Sequence, residues 1–312
     1  VMGGGSATIL EGESMNKLSV QDAVNSYYKS SDFNMLGEKS KVDYQYCIGV
    51  MLSTKIDSKK LGDMNVNKLT GNKARRAYEE WLGRGIYLAN YVCSISRKVY
   101  SYGMEMGFTE TNPFSTFKRK TVKPRKVVWQ RDEVKQFLDY CYSSFQYRSV
   151  GLIVQMSYEW CQRVGDMRLL KFDSIDFNKG ILNLEQSKRG ATVHLPISEN
   201  LFEMLQEQKN HYDFQEYVAP CPKAIRGSYK PYTVHRLSKV ARDAITLSGL
   251  PKELRIADLR RTGTTEMVEA GVSMGQIMSV TGHANPQSVK PYLKNTFDSA
   301  KNALTLREKY DN

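Results

Sequence analysis

Residues 257–294 read ADLRRTGTTEMVEAGVSMGQIMSVTGHANPQSVKPYLK, and the way this stretch breaks into pieces decides the fold of the second half of the chain. The spacing predicts three short helices separated by two marked breaks. The first carries Arg260 near its start, then Met267, Val268 and Ala270, and stops at Gly271. Ser273 followed by Gln276 is a capping-box pattern, in which each side chain satisfies the other's backbone N–H. A second helix therefore starts there and buries Met274, Ile277, Met278 and Val280. Gly282 ends it, and His283 follows. Asn285 with Pro286 reads as an N-cap and a first-turn proline, which predicts a third helix carrying Val289, Tyr292 and Leu293. This layout sets an arginine, a histidine and a tyrosine at three element ends, where they can converge on one anion.

A length of 312 residues suggests two domains at roughly 100–200 residues each. Hydrophobic residues make up 41% of the chain and aromatics 11%, enough to bury real cores and to exclude a disordered tail protein. The net charge of +12 points to a polyanionic partner, with nucleic acid the leading candidate. Charge alone leaves an ordinary basic protein equally open. Five widely spaced cysteines form no Cys-x-x-Cys pair, which argues against a disulfide framework or a zinc site and for a reducing compartment. The longest strongly apolar run, around residues 150–156, is far too short to span a membrane, and no signal segment opens the chain. Residues 1–16 are rich in glycine and serine and read as a flexible leader.

Residues 17–117 read as a bundle of about four helices. One carries Val20, Ala23, Val24 and Tyr27 on a single face. The next places Val42, Tyr46, Ile48, Gly49 and Leu52 together and ends at the polar DSKKLG. A shorter one has Tyr78, Trp81 and Leu82 on one stripe, stopped by Gly83 and Gly85. The last sets Tyr91, Ile95, Val99, Tyr102 and Met106 at helical spacing, and the unit closes before Pro113. Lys73, Arg75 and Arg76 beside Tyr78, and Arg97 and Lys98 beside Tyr100, are suited to lie along phosphates, while most aromatics pack the core. A merely solvated charged face is the alternative.

Residues 118–128 form a basic linker. Its Lys118, Arg119, Lys120, Lys123, Arg125 and Lys126 suit a DNA backbone better than a nuclear-localisation signal. Residues 129–312 then begin with a helix on which Val134, Phe137, Leu138 and Cys141 repeat at helical spacing. The nearly all-apolar SVGLIVQMSYEW that follows is central. It runs into CQRVGDM, with Arg163 three positions before Asp166, so the acid can orient the arginine. GILNLEQSKRGATVHLPIS alternates on both sides of Ser187–Gly190 and reads as a β-hairpin. Two more helices follow. His194, His211 and His235 lack metal-ligand spacing, and no metal site is expected. The class is mostly α with a small β-sheet (α+β).

The boxes CQRVGDM, LRRTGTTEM and TGHANPQSVKPYLK together resemble the signature of the tyrosine recombinases, the phage-integrase family. The resemblance covers roughly residues 18–297, with its strong motifs between 160 and 293. It implies a helical core-DNA-binding domain ahead of a catalytic one. The family's two arginines, its histidine after Thr-Gly and its nucleophile fall on Arg163, Arg260, His283 and Tyr292. The hairpin lysine, general acid for the leaving oxygen, falls on Lys188, with Arg189 its nearest competitor. One departure stands out: the family writes His-x-x-Arg where this chain has Ala257–Arg260. Alanine can neither bind the phosphate nor manage the nucleophile's proton, so the reaction is slower or Arg261 or Arg255 compensates.

Tyrosine alone is a poor nucleophile, with a free pKa of about 10, but cations around a phosphodiester favour its phenolate. The resemblance thus implies a site-specific DNA recombinase or integrase of a phage or mobile element. It would form a 3′-phosphotyrosyl link without cofactor, metal or ATP. A type IB topoisomerase and a catalytically weakened DNA-binding regulator are the alternatives. The implied partner is double-stranded DNA with paired half-sites, bound by a homotetramer and open to accessory directionality factors. The expected place is the cytoplasm of a bacterial host, on the nucleoid. No further N-terminal domain for distal DNA sites is expected. Phe297, Ala300, Ala303, Leu304 and Leu306 predict a short amphipathic tail helix, docked on its own domain or exchanged between subunits.

Overall fold

Apolar residues at helical spacing, each run closed by a cap, dominate both halves of the chain. The computed structural model describes residues 18–187, 190–212, 215–224, 226–292 and 297–310. The chain divides between Pro124 and Arg125, inside the basic run, into two units. The expected leader, and Lys188, Arg189 and Leu293, lie outside the described residues.

The first unit starts at α1 (Val20–Lys29), where Ser19 and Asp22 cap each other's backbone and Val20, Ala23, Val24 and Tyr27 turn inward. One turn, α2 (Ser31–Asn34), leads to α3 (Glu38–Ser53). On α3 the buried face is Tyr44, Cys47, Ile48 and Met51, whereas Val42 is 63% and Tyr46 56% exposed. The stripe expected through Val42 and Tyr46 is thus rotated. Positions 44, 47, 48 and 51 complete an i, i+3, i+4, i+7 seam, and the neighbouring stripe is broken by Gly49. The polar end of that helix folds into a hairpin, β1 (Lys55–Ile56) with β2 (Lys59–Lys60). Then come α4 (Gly71–Leu82), capped by Thr70, and α5 (Ile86–Glu105). Tyr91 of α5 and its C-cap residue Met106 are exposed, and Val92, Cys93 and Tyr100 take the inward places instead. Trp81 is sealed against Phe114 and donates its indole N–H to Thr54 Oγ1 at 2.8 Å.

In the second unit, α6 (Arg131–Tyr142) packs on α7 (Phe145–Glu159), whose residues 149–157 are all buried, as befits a central helix. A one-turn helix, α8 (Val164–Met167), leads to a three-stranded antiparallel sheet, β3 (Ile175–Asp176), β4 (Ile181–Glu185) and β5 (Thr192–Pro196). The β4–β5 register pairs Leu182 with Leu195 and Leu184 with Val193, which turns these side chains to the core. Trp160 ties the end of α7 to the sheet by donating to the Pro196 carbonyl at 3.0 Å. Next are α9 (Glu199–Tyr212), α10 (Val234–Leu247), α11 (Leu259–Glu269), α12 (Met274–Thr281) and the tail helix α13 (Phe297–Tyr310). Among the described residues no helix is long and apolar enough to cross a membrane.

Three expectations for residues 257–310 are corrected or sharpened. The α11 face that packs inward is Leu259, Arg260, Thr262, Gly263, Thr264 and Thr265, with Met267 and Val268 only half-buried and Ala270 exposed. This helix docks by its first two turns, and two of its threonine hydroxyls bond back along it, Thr262 donating to the Asp258 carbonyl at 3.2 Å and Thr264 to the Arg260 carbonyl at 2.6 Å. The expected third helix is instead two 3-10 turns, Pro286–Ser288 and Lys290–Tyr292. Pro291 has no N–H to continue an α-helical ladder, and the chain closes the tighter 3-10 bond from the Tyr292 N–H to the Val289 carbonyl at 2.9 Å instead. The tail helix forms, with Ala300, Ala303 and Leu304 exposed. The side chains of Phe297 and Leu306 lie outside the described set.

Gly263 sets how closely α11 approaches α7: a Cβ there would stand 2.6 Å from the Tyr158 carbonyl oxygen and 2.7 Å from Cys161 Sγ. Gly263→Ala is therefore expected to cost about 1–3 kcal/mol, because the clash is with backbone. Gly275→Ala on α12, where nothing lies within 4 Å, should stabilise by about 0.5–1 kcal/mol. Urea denaturation of the two variants checks the pair; equal effects would mean that α11 can shift away freely.

Candidate active site

Arg163, Arg260, His283 and Tyr292 reach one place from four different elements. Arg163 is the N-cap residue of α8, presented just after a left-handed turn at Cys161 (φ 50°). Arg260 sits in the first turn of α11 and is 8% exposed. Its Nη2 donates to the Thr281 carbonyl at 2.8 Å and to His283 Nε2 at 3.1 Å. Its Nη1 is buried without a hydrogen-bond partner among the described residues. Burial, and behind it the charge of Arg163, pull the Arg260 pKa below its usual value. A guanidinium held so is still charged at any ordinary pH.

The hydrogen bonds fix the His283 tautomer. Arginine can only donate, so His283 Nε2 accepts, and Nδ1 carries the proton. Nδ1 lies 2.8 Å from Thr281 Oγ1, whose own hydrogen goes to the Ile277 carbonyl at 2.7 Å. Gly282 ends α12 in the left-handed conformation (φ 67°), and that turn swings His283 back over Arg260. The Tyr292 ring lies 6.0 Å from the His283 ring, centroid to centroid, and the Arg261 guanidinium stands 5.3 Å over it. Of the two arginines considered as substitutes at the missing histidine, Arg261 thus touches the tyrosine. Arg255 is exposed, and its carbonyl accepts from the Trp129 indole at 3.1 Å.

Asp166 stands 3.7 Å from Arg163 Nη1, close enough to attract it and too far to hydrogen-bond. The direct bond comes from a residue not anticipated in the sequence: Arg163 Nη1 donates to Gln186 Oε1 at 2.8 Å. The available signal was the inward alternation Leu182, Leu184, Gln186, which puts a polar side chain at a core position. Gln162, buried beside it, gave none. A cavity of about 340 Å³ opens between the arginines, lined by Arg163, Val164, Arg168, Leu237, Ala257 and Arg260. Ala257 is thus in the wall of the site, and its methyl offers no hydrogen bond. Among the described residues, no cluster of His, Cys, Asp or Glu could hold a metal ion.

The basic residues singled out beyond this cluster divide by what they touch. In the first unit Arg97 donates to the Phe114 carbonyl through Nε at 3.1 Å and Nη2 at 2.6 Å, an internal brace. Arg76 pairs with Asp57 at 2.7 Å, Arg75 with Glu79, Lys98 donates to the Tyr44 hydroxyl at 2.7 Å, and Lys73 reaches the Lys68 carbonyl at 3.4 Å. Lys118, Arg119 and Lys120 border an open basic depression with Arg97. In the second unit Arg125 clamps Asp258, Nε standing 3.0 and 2.9 Å from its two carboxylate oxygens. Lys123 and Lys126 are exposed.

The model of the phage integrase family matches residues 128–299, more than half of the chain. Tyrosine recombinase XerA of Pyrococcus horikoshii is 29% identical over 155 residues, 49% of this chain and 53% of that protein. The chain therefore spans about half the length of this relative. Among solved structures, a lambda integrase dimer bound to a COC' core site superposes with a TM-score of 0.73 at 20% identity, covering 94% of this chain and 82% of that one. A lambda integrase tetramer bound to a Holliday junction gives 0.72 at 18%, covering 94% and 83%. At such identities the likeness speaks for the fold.

Thr281→Val tests the tautomer assignment. Losing the acceptor for Nδ1–H, worth about 1 kcal/mol, should shift His283 toward the Nε2–H form, which cannot accept from Arg260. Imidazole 15N chemical shifts read this directly, and unchanged shifts would show that another group holds the ring.

Proposed function

Because this chain belongs to the phage integrase family, we propose that it is a site-specific DNA recombinase acting through Tyr292. One observation carries the reading: Arg260 Nη1, buried and unpartnered among the described residues, sits in one cluster with Arg163, His283 and Tyr292. An unsatisfied buried guanidinium nitrogen is costly unless an anion takes it, and a guanidinium fork suits phosphate oxygens. Tyr292 Oη attacks the scissile phosphorus, its proton passing to His283 Nε2, a P–O bond to tyrosine forms, and the P–O5′ bond breaks. The departing 5′ oxygen takes a proton from Lys188, the residue that the resemblance puts in the general-acid role. Arg163 and Arg260 bind the non-bridging oxygens as charge builds on them, and His283, once its Nε2 has left Arg260 and taken the phenol's proton, adds a donor to the same oxygens. The phosphotyrosyl link keeps the energy of the broken bond, so a second 5′-hydroxyl reverses the step without a nucleotide, a metal or any other cofactor.

Ala257 leaves the cavity wall without the donor usual at that place, and Arg261 stands over the tyrosine ring. A reaction slower than in relatives with histidine follows from this. The tail helix, with Ala300, Ala303 and Leu304 turned to solvent, supports exchange between protomers in a tetramer on paired half-sites. The protein would then act wherever its DNA lies, in the cytoplasm of a bacterial host.

Tyr292→Phe should bind a half-site as tightly as the unaltered chain and form no covalent complex on a nicked duplex. Trapping through another tyrosine would sink the assignment, and supercoil relaxation without two-site recombination would favour a type IB topoisomerase. A separate measurement concerns the basic run. Replacing Lys118, Lys120, Lys123 and Lys126 with glutamine should reduce the slope of log affinity against log salt by up to about 0.9 for each phosphate no longer neutralised. An unchanged slope would remove this run from the interface.

A further inference from the structure

The strand β4 runs past its last ladder pair and delivers one carboxamide into the arginine cluster. We infer that Gln186 is a positioning residue that aims Arg163 at its anion and ties it to Arg260, an assignment that rests on the phosphodiester reading above. Gln186 is 1% exposed. Its Oε1 accepts from Arg163 Nη1 at 2.8 Å, and its Nε2 donates to Gln162 Oε1 at 2.6 Å and to the Thr281 carbonyl at 2.8 Å. Gln162 in turn donates to the carbonyls of Trp160 at 2.8 Å and Val280 at 2.7 Å. Both hydrogens of each amide are therefore used, and only one orientation of the pair is consistent. Turning the Gln186 amide over would set N–H against a guanidinium and oxygen against two acceptors.

The Thr281 carbonyl also receives Arg260 Nη2, so one oxygen links Gln186, and through it Arg163, to Arg260. The backbone has made room for this amide: a Cβ on Gly282 would stand 2.5 Å from Gln186 Nε2. The next residue, Ser187, donates its hydroxyl to Asp166 Oδ1. Two consecutive residues at the end of β4 thus hold the arginine and the acid beside it. A neutral acceptor suits the task. A carboxylate in place of the amide would grip Arg163 more firmly but cancel the charge that a phosphate needs, and it would face Gln162 Oε1 and the Thr281 oxygen with no hydrogen to give.

The test uses the full chain, with Gln186→Leu and the near-isosteric Gln186→Glu. The substrate is a nicked duplex bearing a core sequence that the protein itself selects from random DNA. Single-turnover formation of the covalent complex is compared on a scissile phosphodiester and on a methylphosphonate, which lacks one charged oxygen. Both variants should bind the duplex within about twofold of the unaltered chain and cleave the phosphodiester about 10- to 100-fold more slowly. On the methylphosphonate, which asks less of Arg163, the deficit of Gln186→Leu should shrink to about threefold or less. A second readout is sulfate affinity from the thermal upshift, expected to weaken about tenfold in Gln186→Glu. Cleavage within about twofold of the unaltered chain, or an equal loss on both substrates, overturns the assignment. If the unaltered chain forms no covalent complex, the recombinase reading fails by itself. Sulfate then decides for Gln186: weaker binding in both variants supports the role, and unchanged binding overturns it.

Discussion

The missing side chain at Gly263 is the constraint on which the rest of the second unit depends. It lets α11 settle onto the carbonyl of Tyr158 and the sulfur of Cys161, where the central helix α7 gives way to the turn before Arg163. Arg260 lies one turn earlier on α11, so the same contact carries a guanidinium into the interior beside Arg163. Burying that charge is expensive unless its donors are used. The Thr281 carbonyl and His283 use one nitrogen, and both come from the end of α12, which explains why that helix stops with a left-handed glycine.

Satisfaction here is incomplete, among the described residues, at Arg260 Nη1, Asp166 Oδ2 and Arg168 Nε. The amides of Gln186 and Gln162 and the hydroxyl of Thr281 are committed in a chain of donors and acceptors with one consistent polarity. Arg260 Nη1 and Asp166 Oδ2, in contrast, are buried and lack hydrogen-bond partners among the described residues. A fold optimised for stability alone would pair or remove them. Of the two, only Arg260 Nη1 is a donor of a kind that an anion would satisfy; the carboxylate oxygen of Asp166 faces Arg163 at 3.7 Å instead.

Much of this is legible in the sequence, because local rules dictate it. The Ser273–Gln276 capping box, the Gly282 stop, the β4–β5 hairpin and the central position of residues 149–157 follow from caps, turn chemistry and apolar density. Where the reading fails, a non-local or competing constraint wins. Pro291 breaks the helix that Asn285 and Pro286 signal, and two adjacent apolar stripes on α3 differ only in which meets α5. Arg97 and Arg125 look like free cations in sequence, yet each is committed to a partner distant along the chain. The gathering of Arg163, Arg260, His283 and Tyr292 is anticipated through a resemblance. The amide that holds Arg163 is not, because only the packed sheet shows where Gln186 points.

Cys161 gives the closeness of α7 and α11 a chemical handle. The thiol is 2% exposed, held beside Gly263 in a left-handed backbone conformation, and burial pushes its pKa up to about 11. In the closed protein it is a protonated, shielded sulfur, nearly inert to electrophiles at neutral pH. To react, it has to meet solvent, and that requires the two helices to part at the point that also sets the spacing of the arginines. Alkylation of this sulfur is therefore a clock for the breathing of the site itself: its rate counts how often the guanidinium pair comes undone.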